Sequence, residues 1–223
     1  MMLEQVQKDV LKAARLLYER GLVNTYEGNV SARIGDIMVI TPSQVCKADL
    51  TADDLVHVDI ETGRTVRSEN GRRPSSEMKM HLACYRTRRD IRGVAHAHPA
   101  YATSFALRRE KIATKGYPEM MLLYGEVPVC RYGRPSTDDV NRDVPAVLET
   151  YNAFLLASHG LCAVGASAIE AAYRLEGIES VAKLLTIVRQ AGGEIELSDE
   201  ECRAIEEMRR ENFHKAARLN KGE

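Results

Sequence analysis

The chain lacks any C-x-x-C pair, and its five cysteines (Cys46, Cys84, Cys130, Cys162, Cys202) are odd in number and scattered. That pattern argues against a disulfide framework or a thiolate zinc site and leads us to expect free thiols in a reducing cytoplasm. Charge of one sign is also missing. The 31 basic and 32 acidic residues leave a formal net charge of −1, so neither nucleic acid nor an anionic membrane surface is expected as a general partner. No window approaches the roughly 18 uncharged apolar residues of a membrane span. Met1–Asp9 has no apolar core of a secretory signal. The glycine-rich dinucleotide fingerprint and the P-loop pattern are absent too, which argues against those nucleotide-binding folds.

What is present is an ordinary globular balance, 44% hydrophobic and 28% charged, in a chain of 223 residues that can bury a substantial core. Leu3, Val6, Val10, Ala13, Ala14, Leu17 and Tyr18 recur at helical spacing up to Gly21. Val30–Ile34 and Ile37–Ile40 read as a hairpin across Gly35-Asp36. Thr51–Asp54 is a capped turn, and Val56–Ile60 pairs with Thr65-Val66. Pro74-Ser75-Ser76-Glu77 is expected to open a helix reaching Thr87, followed by strand Val94–His98 and a helix from Pro99 to Leu107. Strands are expected at Met121–Tyr124, Val127–Arg131 and Ala153–Ala157. A long helix starts at Ser167-x-x-Glu170 and stops at Gly192-Gly193, and Ser198-x-x-Glu201 starts another. With no linker or repeat, residues 1–223 are expected to form one α/β domain of three layers, α/β/α, around a mostly antiparallel sheet.

The chemistry concentrates on histidine. His96 and His98 are one residue apart in Gly93–Pro99, so an extended backbone projects both rings to one face. His159 ends a second apolar run, Phe154–Ala157, just before Gly160. Three imidazoles from two strand ends suit a catalytic divalent metal with an open position. The plainer alternatives are a buried, hydrogen-bonded ring and a turn histidine before a permissive glycine. His57, His81 and His214 lack this placement and read as structural, and the Tyr132–Ser136 turn has no assignable role. Glu77 follows two serines at a helix start, where a carboxylate is favourable for the dipole alone. Ser75 and Ser76 with free backbone N–H groups would also bind a phosphate there, leaving Glu77 beside both anion and metal as a candidate base. Gly28-Asn29 and Thr41-Pro42-Ser43-Gln44 are further loops able to contact an anion. Arg86–Arg89 reads as a solvated helix end.

Taken together, Glu27-Gly28-Asn29-Val30-Ser31, Ile40–Ser43, Pro74–Glu77, His96-Ala97-His98 and Ser158-His159-Gly160 resemble the class II aldolase/adducin family, most of all its L-fuculose-1-phosphate aldolases. The motifs match in order and separation over nearly the whole chain. The resemblance implies a homotetramer with sites at subunit interfaces and Zn2+ held by His96, His98 and His159, with Glu77 as displaceable fourth ligand and base. It implies a sugar phosphate whose phosphoryl group sits among Gly28, Asn29, Ser43, Gln44, Ser75 and Ser76. Tyr117 matches the tyrosine that protonates the aldehyde oxygen from a neighbouring subunit. The chain departs from the family pattern at Tyr26, at Gln44 in place of a common glycine, and near Phe213, where the aldolases carry a tyrosine.

Related pentulose-phosphate 4-epimerases place Asp where Glu77 stands. The longer carboxylate reaches the substrate carbon and favours aldol chemistry over that alternative. A methylthio-pentulose phosphate dehydratase is disfavoured by Ser75-Ser76-Glu77. A non-catalytic module like the adducin head resembles the fold but lacks the ligands, all of which are present here.

Overall fold

A computed structural model describes residues 2–134 and 137–221, except for the side chains of 138 and 213–221. The expectations placed on Pro135-Ser136, Phe213 and His214 lie outside the described residues or side chains. Eight strands form one sheet in the order β4-β3-β2-β1-β5-β8-β7-β6. They are β1 (Asn29–Ile34), β2 (Ile37–Ile40), β3 (Val56–Asp59), β4 (Thr65–Arg67), β5 (Gly93–Ala97), β6 (Val129–Cys130), β7 (Ala153–Leu156) and β8 (Gly160–Gly165). Every pairing is antiparallel except β6 with β7, which is parallel. The three-layer α/β expectation holds, and the sheet ends on its shortest strands, β4 and β6, as edges safe from further pairing do.

Alternating side chains divide the interior in two. On one face Val30, Ala32, Ala95, Ala97, Leu161 and Ala163 pack with buried residues of α1 (Leu3–Glu19), α3 (Ala100–Arg108) and α6 (Ala168–Gln190). On the other, Met38, Ile40, Val94, Cys162 and Val164 pack with α2 (Met78–Thr87) and α5 (Val144–Leu148). β5 is therefore buried on both faces along all five residues. Among the described residues no helix is long and apolar enough to cross a membrane.

Several elements differ from expectation. Met121–Tyr124 belongs to a helix, α4 (Pro118–Leu123), with Pro118 in the first turn and Met120 buried. A short apolar run carries no period of its own, and the proline was the deciding signal. Strand β8 and helix α5 were unforeseen. β6 is shorter than expected, with Val127 pairing Ile112 as an isolated bridge. The helix after Pro74 begins only at Met78 with Glu77 as its N-cap residue, because the Pro42–Pro74 bridge keeps that segment extended. The last long helix, α7, runs Asp199–Lys221. Its start and that of α6 follow their serines: Ser167 Oγ accepts from Glu170 N at 3.1 Å and Ser198 Oγ from Glu201 N at 3.3 Å.

The Thr51–Asp54 turn shows how a polar residue is held inside. Asp54, only 7% exposed, accepts from Thr51 N (3.0 Å), Thr51 Oγ1 (2.8 Å), Asn70 Nδ2 (3.0 Å) and Arg72 Nε (3.1 Å). Burial alone would raise its pKa, but the bonds from Asn70, Thr51 and Arg72 outweigh that and hold it below the usual carboxylate range. A lowered folded-state pKa stabilises the fold above the unfolded value, about 3.9, and that contribution is lost as pH falls through the folded one. Asp54→Ala is expected to cost about 1–2 kcal/mol at pH 7. The gap from the parent protein, read by denaturant melts, should narrow below about pH 4.

Candidate active site

Antiparallel pairing brings the end of β5, the start of β1 and the β7–β8 turn together at one end of the central strands: Asn29 lies opposite His96, Ala97 opposite Leu161, and Leu156 opposite Gly160. His96 projects to the α2 face with Val94, and His98 continues that alternation one residue past the strand. His159 enters from the turn, where Ser158 takes a positive φ of 58°. Gly160 leaves no room for a side chain: a Cβ there would lie 2.6 Å from His98 Cδ2 and from Ala97 O. Glu77 reaches the same point from the head of α2.

The three imidazole centroids are each 4.9 Å from the other two. Glu77 Oε1 is 2.9 Å from His159 Nε2 and Oε2 is 3.2 Å from His96 Nε2. One donor atom from each of Glu77, His96, His98 and His159 lies within 4.8 Å of all the others. The fully buried His96 ring sets its Nδ1 2.9 Å from Leu161 O. A carbonyl only accepts, so Nδ1 carries the hydrogen and the Nε2 lone pair faces the cluster. His96 Nε2 and His98 Nε2 are 3.1 Å apart, so the two rings meet at their Nε2 atoms.

The electrostatics agree. Burial would raise Glu77, but His96 and His159 more than offset it and hold the carboxylate well below its usual range. Burial would lower His96, yet the Glu77 charge lifts it. Burial and the neighbouring His96 and His159 push His98 down to about 4. An N3O donor set of this chemistry can hold a divalent metal ion.

Beside the cluster lies a cavity of about 280 Å3 lined by all six residues expected to hold a phosphoryl group, Gly28, Asn29, Ser43, Gln44, Ser75 and Ser76, together with Glu77, His98 and His159. The Pro42–Pro74 bridge and the Ser43 N to Arg73 O bond (3.0 Å) hold the Ser43-Gln44 and Ser75-Ser76 segments side by side. Gly28 is required by its setting: φ is +69°, and a Cβ would fall 2.3 Å from Val23 Cγ1. Gln44 adopts φ 57° where glycine would be at ease. The serines precede α2 rather than forming its first turn, and Ser75 Oγ already accepts from Glu77 N at 3.3 Å. Among the described residues no lysine or arginine lines the cavity, so an anion would rest on hydroxyl, amide and backbone donors. Tyr117 sits at the N-cap of α4, its hydroxyl donating to Glu119 at 3.1 Å, and does not line this cavity.

His81, expected to be structural, is a fully buried ring outside the donor cluster. It is linked through Asn29 to Glu77: Asn29 Nδ2 donates to Glu77 Oε2 at 2.7 Å, and His81 Nε2 lies 2.5 Å from Asn29 Oδ1. The available signal was Glu77, His81 and Tyr85 at four-residue steps on one helix, facing Asn29 and Ser31 at two-residue steps on one strand.

Residues 8–186 match the family model described as Class II Aldolase and Adducin N-terminal domain. The chain belongs to this family. A 5-methylthioribulose-1-phosphate/5-deoxyribulose-1-phosphate aldolase of Rhodospirillum rubrum is 31% identical over 202 residues, covering 90% of this chain and 89% of that protein. A 3-oxo-tetronate 4-phosphate decarboxylase of Pectobacterium atrosepticum is 28% identical over 190 residues, covering 83% and 85%. Among solved structures, an L-fuculose 1-phosphate aldolase superimposes with a TM-score of 0.83 at 32% identity, covering 93% of this chain and 97% of that one. As a class II aldolase family member the chain is an enzyme of the lyase type. Relative to the pattern of that family, Tyr26 is 69% exposed at the rim of the cavity, where it can meet a substrate without disturbing the donors beneath.

Proposed function

We propose that this protein is a zinc-dependent aldolase. It reversibly cleaves a ketose 1-phosphate, L-fuculose 1-phosphate or a related deoxy-ketose 1-phosphate, to dihydroxyacetone phosphate and a short aldehyde such as lactaldehyde. One observation carries the reading: Glu77 stands between the three imidazoles and a cavity lined by serine, glycine and asparagine. His96, His98 and His159 would hold the cation, with Glu77 as a displaceable fourth ligand. A divalent ion there supplies Lewis-acid stabilisation of negative charge developing on the carbonyl oxygen of the substrate. Ser43, Gln44, Ser75, Ser76 and the Gly28-Asn29 backbone hold the phosphoryl group and so fix the substrate carbon against Glu77. The ionised carboxylate of Glu77 takes a proton from the hydroxymethyl carbon of dihydroxyacetone phosphate in condensation and returns it in cleavage. In the proposed homotetramer, Tyr117 of the partner subunit protonates the aldehyde oxygen.

A second reading, decarboxylation of a 3-oxo-acid phosphate, is favoured by the Pectobacterium relative. It would use the same donors and the same anion cradle. Purified protein incubated with a panel of ketose 1-phosphates is expected to release dihydroxyacetone phosphate, to stop on chelation and to recover with added zinc. Carbon dioxide from a 3-oxo-tetronate phosphate, with no triose phosphate from any ketose, would replace the aldolase reading. Formation of an epimeric pentulose phosphate would replace both.

A further inference from the structure

Glu77 at the N-cap and His81 and Tyr85 within α2 follow one another at four-residue steps, and Asn29 and Ser31 of β1 interleave with them. The five side chains interleave into one hydrogen-bonded file. Glu77 Oε2 accepts from Asn29 Nδ2 at 2.7 Å, Asn29 Oδ1 lies 2.5 Å from His81 Nε2, His81 Nδ1 lies 2.7 Å from Ser31 Oγ, and Ser31 Oγ lies 2.8 Å from Tyr85 OH. We propose that His81, braced by Ser31 and Tyr85, is a positioning residue that fixes the amide of Asn29 with its NH2 toward Glu77, aiming the carboxylate. The kinetic part of this proposal rests on the reading of Glu77 as base.

The direction of the file follows from what each group can do. A carboxylate only accepts, so the amide nitrogen of Asn29 faces it and the amide oxygen faces His81. That oxygen requires a hydrogen on Nε2. Burial lowers the His81 pKa to about 3, so the ring is neutral and Nδ1 is left bare. Ser31 must then donate to Nδ1, and Tyr85 to Ser31. Tyr85 and Ser31 are fully buried, and burial keeps the Tyr85 phenol protonated. Each member has one role, and reversing any of them sets two acceptors face to face. His81 is neither one of the four clustered donors nor a lining residue of the cavity.

Ring-selective 15N NMR of the metal-loaded protein at neutral pH tests the geometry without any assay of turnover. His81 is expected as the Nε2–H tautomer. An Nδ1–H ring or a charged ring would overturn the proposal whether or not the protein proves to be an aldolase. Paired variants test the consequence. The amide of His81→Gln reaches about as far as Nε2 and is expected to keep kcat within about threefold. That of His81→Asn reaches only as far as Nδ1 and is expected to lose about tenfold or more in kcat at equal metal content, the range seen when a residue supporting a metal ligand is removed. Equal losses in both, at similar melting temperature, would mean that His81 merely fills space.

Discussion

Replacing Glu77 by glutamine is expected to leave the metal bound and to lower kcat by about 10²–10⁴-fold, the usual contribution of a positioned base. The change keeps size and one lone-pair oxygen, so the three imidazoles still define the metal site. What disappears is a group able to take a proton. The carboxylate is ionised in the free protein because His96 and His159 offset the cost of its burial, and Asn29 donates to one of its oxygens. The amide of glutamine would meet the Asn29 NH2 with either an oxygen that cannot accept the substrate proton or an NH2 that clashes with it. Turnover at the parent rate, with metal content measured by mass spectrometry, would remove Glu77 from the role of base.

His96→Ala is expected to abolish metal binding and activity together. The ring is fully buried, supplies its Nε2 to the cluster, and is oriented by the carbonyl of Leu161. Losing a residue that only supports a metal ligand costs about 10–100-fold in metal affinity, and removing the ligand itself exceeds that. Alanine also removes the bond from His96 Nδ1 to Leu161 O inside the core, a net loss of about 0.5–1.5 kcal/mol of folding stability. A melt distinguishes that loss from unfolding, since a chain of this size tolerates it. Full zinc content in the variant would exclude His96 from the ligand set.

Much of this was legible in the sequence because it rests on short-range geometry. The H-x-H pair converges because strands alternate, and the glycine of Gly28-Asn29 was visible as a residue needing unusual backbone freedom. Helix ends at Ser167 and Ser198 announced themselves through side chains that bond within four residues. The residues expected to hold a phosphoryl group came from motifs, and their adjacency around one cavity depends on a bridge between Pro42 and Pro74 that no local pattern encodes. β8 was missed because a six-residue strand buried on both faces, bounded by Gly160 and Gly165, has neither alternation nor turn polarity to mark it. His81 reads as structural and is a buried, hydrogen-bonded ring outside the donor cluster; its partners were not legible, because a polar residue on a helix looks the same whether it meets water or a row of buried groups. Only the pairing of α2 with β1 tells the two apart.

The placement of β5 has a further consequence. Sliding it by one residue would swap the environments of Val94 and Ala95 and carry both imidazoles into the opposite core, so the imidazole pair cannot be re-aimed by small adjustments. Mutational change of substrate preference would therefore fall to the coil bordering the mouth of the cavity at Tyr26-Glu27, while the strands and the anion cradle stay fixed. A chemist wishing to retune this protein would leave the strands alone and vary the rim.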